Sequence, residues 1–87
     1  MIKSWDDDAW EDYEYWHSQD KKTLRRIHLL IKDIDRNGYS GIGKPEMLSD
    51  DLAGYCSRRI DDKNRIVYRI QNNTIEFIQC GSHYRDK

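Results

Sequence analysis

Eighty-seven residues with three Trp, six Tyr and one Phe are enough for one small domain, residues 1–87, whose thin core leans on aromatic rings. No run approaches the roughly 18 apolar residues of a membrane span, and no basic start leads into an apolar stretch, so the chain reads as cytoplasmic rather than secreted or membrane-bound. Net charge is only −1, but residues 1–20 hold one Lys against seven acids and residues 21–87 hold fourteen Lys and Arg against nine; this leaves either a basic body able to meet phosphates or two solvated faces of opposite sign.

Met1–Trp5 is a short apolar opening that reads as a strand at an edge or second position. Asp6, Asp7 and Asp8 then supply an N-cap and first-turn negative charge. Ala9, Trp10, Tyr13 and Trp16 recur at helical spacing, which predicts a helix to about Ser18 with Glu11, Asp12 and Glu14 on its outer face. His17, at the helix end where positive charge is favoured, reads as structural. Asp20 caps a second helix. Leu24, Ile27, Leu30, Ile31 and Ile34 form its apolar stripe, flanked by Lys21, Lys22, Arg25, Arg26 and Lys32. Asn37-Gly38 stops it, and the very short link predicts an antiparallel helical hairpin.

Residues 38–54, "GYSGIGKPEMLSDDLAG", are the one long irregular stretch. Pro45 biases Lys44 towards an extended conformation, so Glu46 follows a stiffened point on a segment pointing away from both helices. Three strands follow, Tyr55–Ile60, Arg65–Ile70 and Thr74–Cys80, separated by turns at Asp61–Asn64 and Gln71–Asn73. Helices first and a meander after them predict an α+β fold, a helical hairpin covering one face of an antiparallel sheet. Cys56 and Cys80 read as two reduced thiols in or near the core. With His83 they lack a fourth ligand for a metal site, so no metal or other cofactor is expected.

The sheet face away from the helices is where chemistry is expected. Alternation sends Ile66, Tyr68 and Ile70 to the helices and Arg65, Val67 and Arg69 to the other face, and one of Arg58 and Arg59 must share that face with Arg65. Glu46 arrives from the long loop; His83 and Tyr84 arrive from the end of the last strand. RNA cleavage through the 2'-hydroxyl needs a base, a charge clamp on the phosphate and an acid for the leaving oxygen. Glu46, Arg65 and His83 suit those roles, Tyr84 suits stacking on a base, and no metal is required. Taken singly, Glu46 also reads as a solvated loop acid, Arg65 as an edge charge and His83 as a tail residue; spacing alone does not bring them together.

The motifs "W-x(4)-W-x-D-Y-x-Y-W" from Trp5, "LIKDIDRN", "GIGKPE", "SRRID", "NRIVYRI" and the "HY" near the end occur in order across nearly the whole chain. In these the sequence resembles the Txe/YoeB family of bacterial toxins within the RelE-like group. The resemblance implies a microbial RNase fold and an mRNA endonuclease acting in the ribosomal A site. It further implies neutralisation by a cognate antitoxin of the YefM or Axe kind, and frequent homodimers. It implies catalytic roles for Glu46, Arg65, His83 and Tyr84, and RNA or phosphate contacts from Arg59, Lys44 and Arg69. Departures from the family pattern are Met47 for a proline, Ser49 for a basic residue, Cys56 for a larger aromatic and Asn64 for a frequent His; Arg85, Asp86 and Lys87 follow the His-Tyr pair. Two alternatives remain at this level: a catalytically decayed relative that only binds antitoxin or RNA, and a ParE-like gyrase inhibitor, a class that lacks the glutamate–arginine–histidine set.

Overall fold

A computed structural model describes residues 1–82. The elements run β1 (Ile2–Trp5), α1 (Asp7–Gln19), α2 (Lys21–Asn37), β2 (Glu46–Met47), a single 3-10 turn at Asp50–Leu52, β3 (Cys56–Arg59), β4 (Arg65–Gln71) and β5 (Thr74–Gly81). Asp6 accepts the Ala9 N–H at 2.9 Å and starts α1. Asp20 closes α1 and opens α2, accepting the N–H groups of Lys22 and Thr23 and the Thr23 hydroxyl. One residue serving both ends leaves no slack, so the helices fold back as a hairpin.

The strands form one sheet in the order β1-β5-β4-β3-β2. β2 to β5 pair antiparallel, but β1 lies parallel to β5, with Ile2 opposite Thr74 and Trp5 opposite Phe77. The sheet is therefore mixed, not antiparallel throughout. A two-helix crossover, unlike a tight turn, does not dictate the direction of the strand before it. The parallel direction stacks Trp5 on Phe77, ring centroids 4.4 Å apart, and lets the Asp6 N–H reach the Phe77 carbonyl at 3.1 Å.

The core lies between the helices and one sheet face. α2 contributes Ile27, Leu30, Ile31 and Ile34, and the sheet contributes Cys56, Ile66, Tyr68, Ile75, Phe77 and Cys80. α1 buries only Ala9 completely and packs through Tyr13 and Trp16, with Trp5 beside them. Val67 pairs with Gln79 but Tyr68 pairs with Phe77, so Ile78 is an extra residue in β5. That bulge lets Phe77 and Cys80 both face the helices, where strict alternation would send Gln79.

The stretch before β3 is less irregular than its composition suggests. Glu46 and Met47 pair with Ser57 and Cys56 as a short edge strand. Lys44 is not extended: its φ is +51°. The chain must turn sharply there to lay Glu46 alongside β3, and that requirement overrides the pre-proline preference. Among the described residues no helix is long and apolar enough to cross a membrane.

Candidate active site

Cross-strand register assembles the site. Glu46 lies opposite Ser57, Ser57 opposite Val67, and Val67 opposite Gln79. In the next row Arg59 lies opposite Arg65, and Arg65 opposite Gly81. Directly opposed residues share a face, so Glu46, Arg59 and Arg65 all project from the side away from the helices. Strand spacing and rise put the Glu46 and Arg65 backbones about 12 Å apart, a gap that two long side chains can close around a phosphate. The floor between them is not an open basic surface: Ser57, Val67 and Gln79 are buried.

Arg59, not Arg58, shares the face with Arg65. Arg59 is exposed, and its N–H donates to the Gly43 carbonyl at 2.7 Å. Arg65 Nη1 donates to the carbonyls of Asp61 (3.1 Å) and Asn64 (3.4 Å). Among the described residues no acceptor occupies its Nε or Nη2. The turn that holds Arg65 is itself rigid, because Asp61 accepts the N–H groups of Lys63 and Asn64 and the Asn64 amide. Burial alone would raise the Asp61 pKa; the hydrogen bonds from Asn64 and Lys63 outweigh it and hold the carboxyl below the usual range. Two arginines directly opposite each other repel, and an anion between them would offset that cost.

Arg69 lies on the same face, two residues beyond Val67, but its guanidinium is engaged. It pairs with Glu76 at 2.7 and 2.9 Å and stands 4.9 Å from the centre of the Tyr55 ring. The hydrogen bond to Glu76 is the main reason its pKa is raised. Lys44 and Glu46 are exposed on the edge segment. His83 and Tyr84 lie outside the described residues.

The approach to His83 is described, and α1 controls it. Asp12 Oδ2 accepts the Cys80 N–H at 3.0 Å, and Trp16 Nε1 donates to the Cys80 carbonyl at 2.8 Å. The main chain of one residue is thus gripped through both its N–H and its carbonyl by residues four apart on one helix face. Next to it the space is tight: a Cβ on Gly81 would sit 3.2 Å from the Asp12 carboxyl carbon, so the carboxylate would have to give slightly. Periodicity assigns Asp12 to the solvent face of α1; it turns inward because a charged acceptor is needed at the end of β5. Its four-residue spacing to Trp16 is the signal that reveals the pair. A cavity of about 430 Å³ opens beside this grip, lined by Glu11, Asp12, Tyr15, Trp16, Asn64 and Ser82 among others. Cys80 and Cys56 are unbridged and buried. Burial first, and the Asp12 carboxylate second, push the Cys80 thiol up to about 12. Among the described residues no group of three His, Cys, Asp or Glu side chains is placed to hold a metal ion.

The family model described as "YoeB-like toxin of bacterial type II toxin-antitoxin system" matches residues 5–84. Toxin YoeB of Mycobacterium bovis is 49% identical over 81 residues, covering 93% of this chain and 95% of that one. A solved YoeB/ParE toxin from Agrobacterium tumefaciens superposes with a TM-score of 0.93 at 42% identity, covering 97% of this chain and 100% of that chain. Staphylococcus aureus YoeB in a heterotetrameric complex with YefM gives a TM-score of 0.90 at 45% identity over 97% of this chain and 98% of that one. The same toxin solved as a dimer gives 0.89 at 45% identity over the same shares. Matched in sequence and in backbone over nearly its whole length, the chain belongs to the YoeB-like toxin family of bacterial type II toxin–antitoxin systems.

Proposed function

We propose that this toxin is an endoribonuclease that cuts mRNA in the ribosomal A site and so stops translation. Glu46 takes the proton of a 2'-hydroxyl. The freed oxygen attacks the adjacent phosphorus, and the bond from phosphorus to the 5'-oxygen breaks as His83 protonates that oxygen. The products are a 2',3'-cyclic phosphate and a 5'-hydroxyl. Arg65 stabilises the extra negative charge on the phosphorane-like transition state. Arg59 assists from across the strand pair, and Lys44 and Arg69 line the path of the RNA backbone. Tyr84 stacks on a splayed base.

The observation that carries this reading is the register that opposes Arg59 to Arg65 one row from Glu46. A proton acceptor beside an arginine pair that forms no salt bridge among the described residues suits a phosphodiester with a 2'-hydroxyl. The reaction takes place in the cytoplasm, where ribosomes are. A YefM-like antitoxin silences the toxin by covering this face, and the toxin without antitoxin associates as a dimer; the Staphylococcus aureus complexes support both partners.

In a purified translation system the wild type is expected to cut mRNA on programmed ribosomes. Glu46→Ala and His83→Ala are each expected to slow cleavage roughly 10²- to 10⁴-fold, read by mapping RNA 5' ends. Growth arrest with intact mRNA would refute the nuclease reading.

A further inference from the structure

Among the described residues Arg58 is the largest side chain wholly removed from solvent, and the reaction above makes no direct use of it. Its donors are all engaged. Nε donates to the Tyr68 hydroxyl at 3.1 Å; Nη1 donates to Asp33 Oδ2 at 2.6 Å and the Ile42 carbonyl at 2.8 Å; Nη2 donates to the carbonyls of Gly38 at 2.9 Å and Ser40 at 2.8 Å. Three of these acceptors are main-chain carbonyls of residues 38–42, a segment with no helix or strand of its own.

Both partners of Arg58 hold the same segment. The Tyr68 hydroxyl donates to the Gly38 carbonyl at 2.8 Å, and Asp33 accepts the Ile42 N–H at 3.0 Å. Gly41, at φ +126°, passes so close to Asp33 that a Cβ there would overlap its carboxylate. The loop is wound around an ion pair whose guanidinium is wholly buried and whose carboxylate is 17% exposed. Burial draws the Arg58 pKa down, but hydrogen bonds to Asp33 and Tyr68 outweigh it. The Arg58 guanidinium, before any other cause, holds the Asp33 carboxyl below its usual range.

This loop leads within four residues to Glu46. The next residue of β3 continues the grip, since the Arg59 N–H holds the Gly43 carbonyl. Beyond it Glu46 sits on a strand of two residues, too short to define its own position. We infer that Arg58 is the positioning residue of Glu46: through the carbonyls of residues 38–42 it sets where the proton acceptor meets the Arg59–Arg65 pair. This rests on the reading of Glu46 as the base. Lysine is no substitute, because acceptors spread around a planar fork require a guanidinium.

The test is Arg58→Lys in the full chain, which keeps the charge and loses the fork. On programmed ribosomes kcat is expected to fall roughly 10- to 100-fold, while KM stays within about twofold. Amide exchange is expected to quicken across residues 38–47 while β4 and β5 keep their protection. Faster exchange throughout the sheet would make Arg58 a general core residue and overturn the inference; so would a loosened loop with unchanged kcat. If the variant does not fold, Asp33→Asn decides: a looser loop together with a lower kcat supports the inference, and either one alone overturns it. Glu46→Gln is assayed alongside. Full cleavage by that variant removes the base reading, and the inference with it. An inactive Glu46→Gln with undiminished kcat in Arg58→Lys removes only the positioning role.

Discussion

On the β2 side of the candidate site, one buried guanidinium makes five hydrogen bonds that shape a stretch of coil. On the β5 side, two residues of α1 make two hydrogen bonds to the main chain of a single residue, Cys80. The first anchor is charged, and its guanidinium is wholly buried; the second lies at a helix flank beside a cavity. Coil supplies no ladder, so its carbonyls need an external donor array, whereas β5 is already paired with β4 and needs only its end aimed. The two flanks of one site therefore fail in different ways.

The largest expected effect breaks the first anchor outright. Arg58→Leu strips the guanidinium from the Ser40 and Ile42 carbonyls and leaves Asp33 with only the Ile42 N–H and the Asn37 amide and the Gly38 carbonyl with only the Tyr68 hydroxyl; it is expected to cost about 3–5 kcal/mol, measured by urea unfolding. A loss below about 1 kcal/mol would mean that the loop finds other partners. The second anchor is weaker. Asp12→Ala is expected to cost about 1–3 kcal/mol and Trp16→Phe about 1 kcal/mol. The double variant should cost less than the sum, since both hold the main chain of one residue; strict additivity would show that they act separately.

Acid tests the charge on the first anchor. The Asp33 carboxyl is depressed in the folded protein, chiefly by Arg58. Its contribution is therefore fully present above the unfolded pKa of about 3.9 and is lost as pH falls through the lower folded value. Between pH 5 and pH 2 the wild type should lose stability more steeply than Asp33→Asn, measured by urea unfolding at each pH; parallel curves would show that the pair does not couple to folding. The smallest effect is a labelling rate. Cys80, buried and with its thiol raised to about 12, should react slowly with iodoacetamide in the native protein. Asp12→Ala should speed that reaction and Arg58→Lys should not; equal acceleration by both would erase the distinction between the flanks.

Much of this architecture is legible in the residues. The stripe from Leu24 to Ile34, Asp20 as the N-cap of α2 and the turns at Asp61–Asn64 and Gln71–Asn73 all follow from local rules. What escapes them is non-local. Arg58 and Arg59 are indistinguishable in sequence, and only pairing with Ile66 and Arg65 decides which one is buried. The two-residue strand at Glu46 exists only because β3 offers it an edge. Asp12 looks solvated until β5 ends beside it, and the Ile78 bulge shows only when β4 and β5 are laid in register.

The sequence by itself determined the helical hairpin and the three later strands, because caps, periodicity and turn chemistry act over a few residues. Only the tertiary structure decided that β1 runs parallel, that Arg58 turns inward to hold the loop leading to Glu46, and that α1 grips the end of the last strand. These depend on which distant carbonyls and carboxylates lie within hydrogen-bonding reach, and no local preference encodes that.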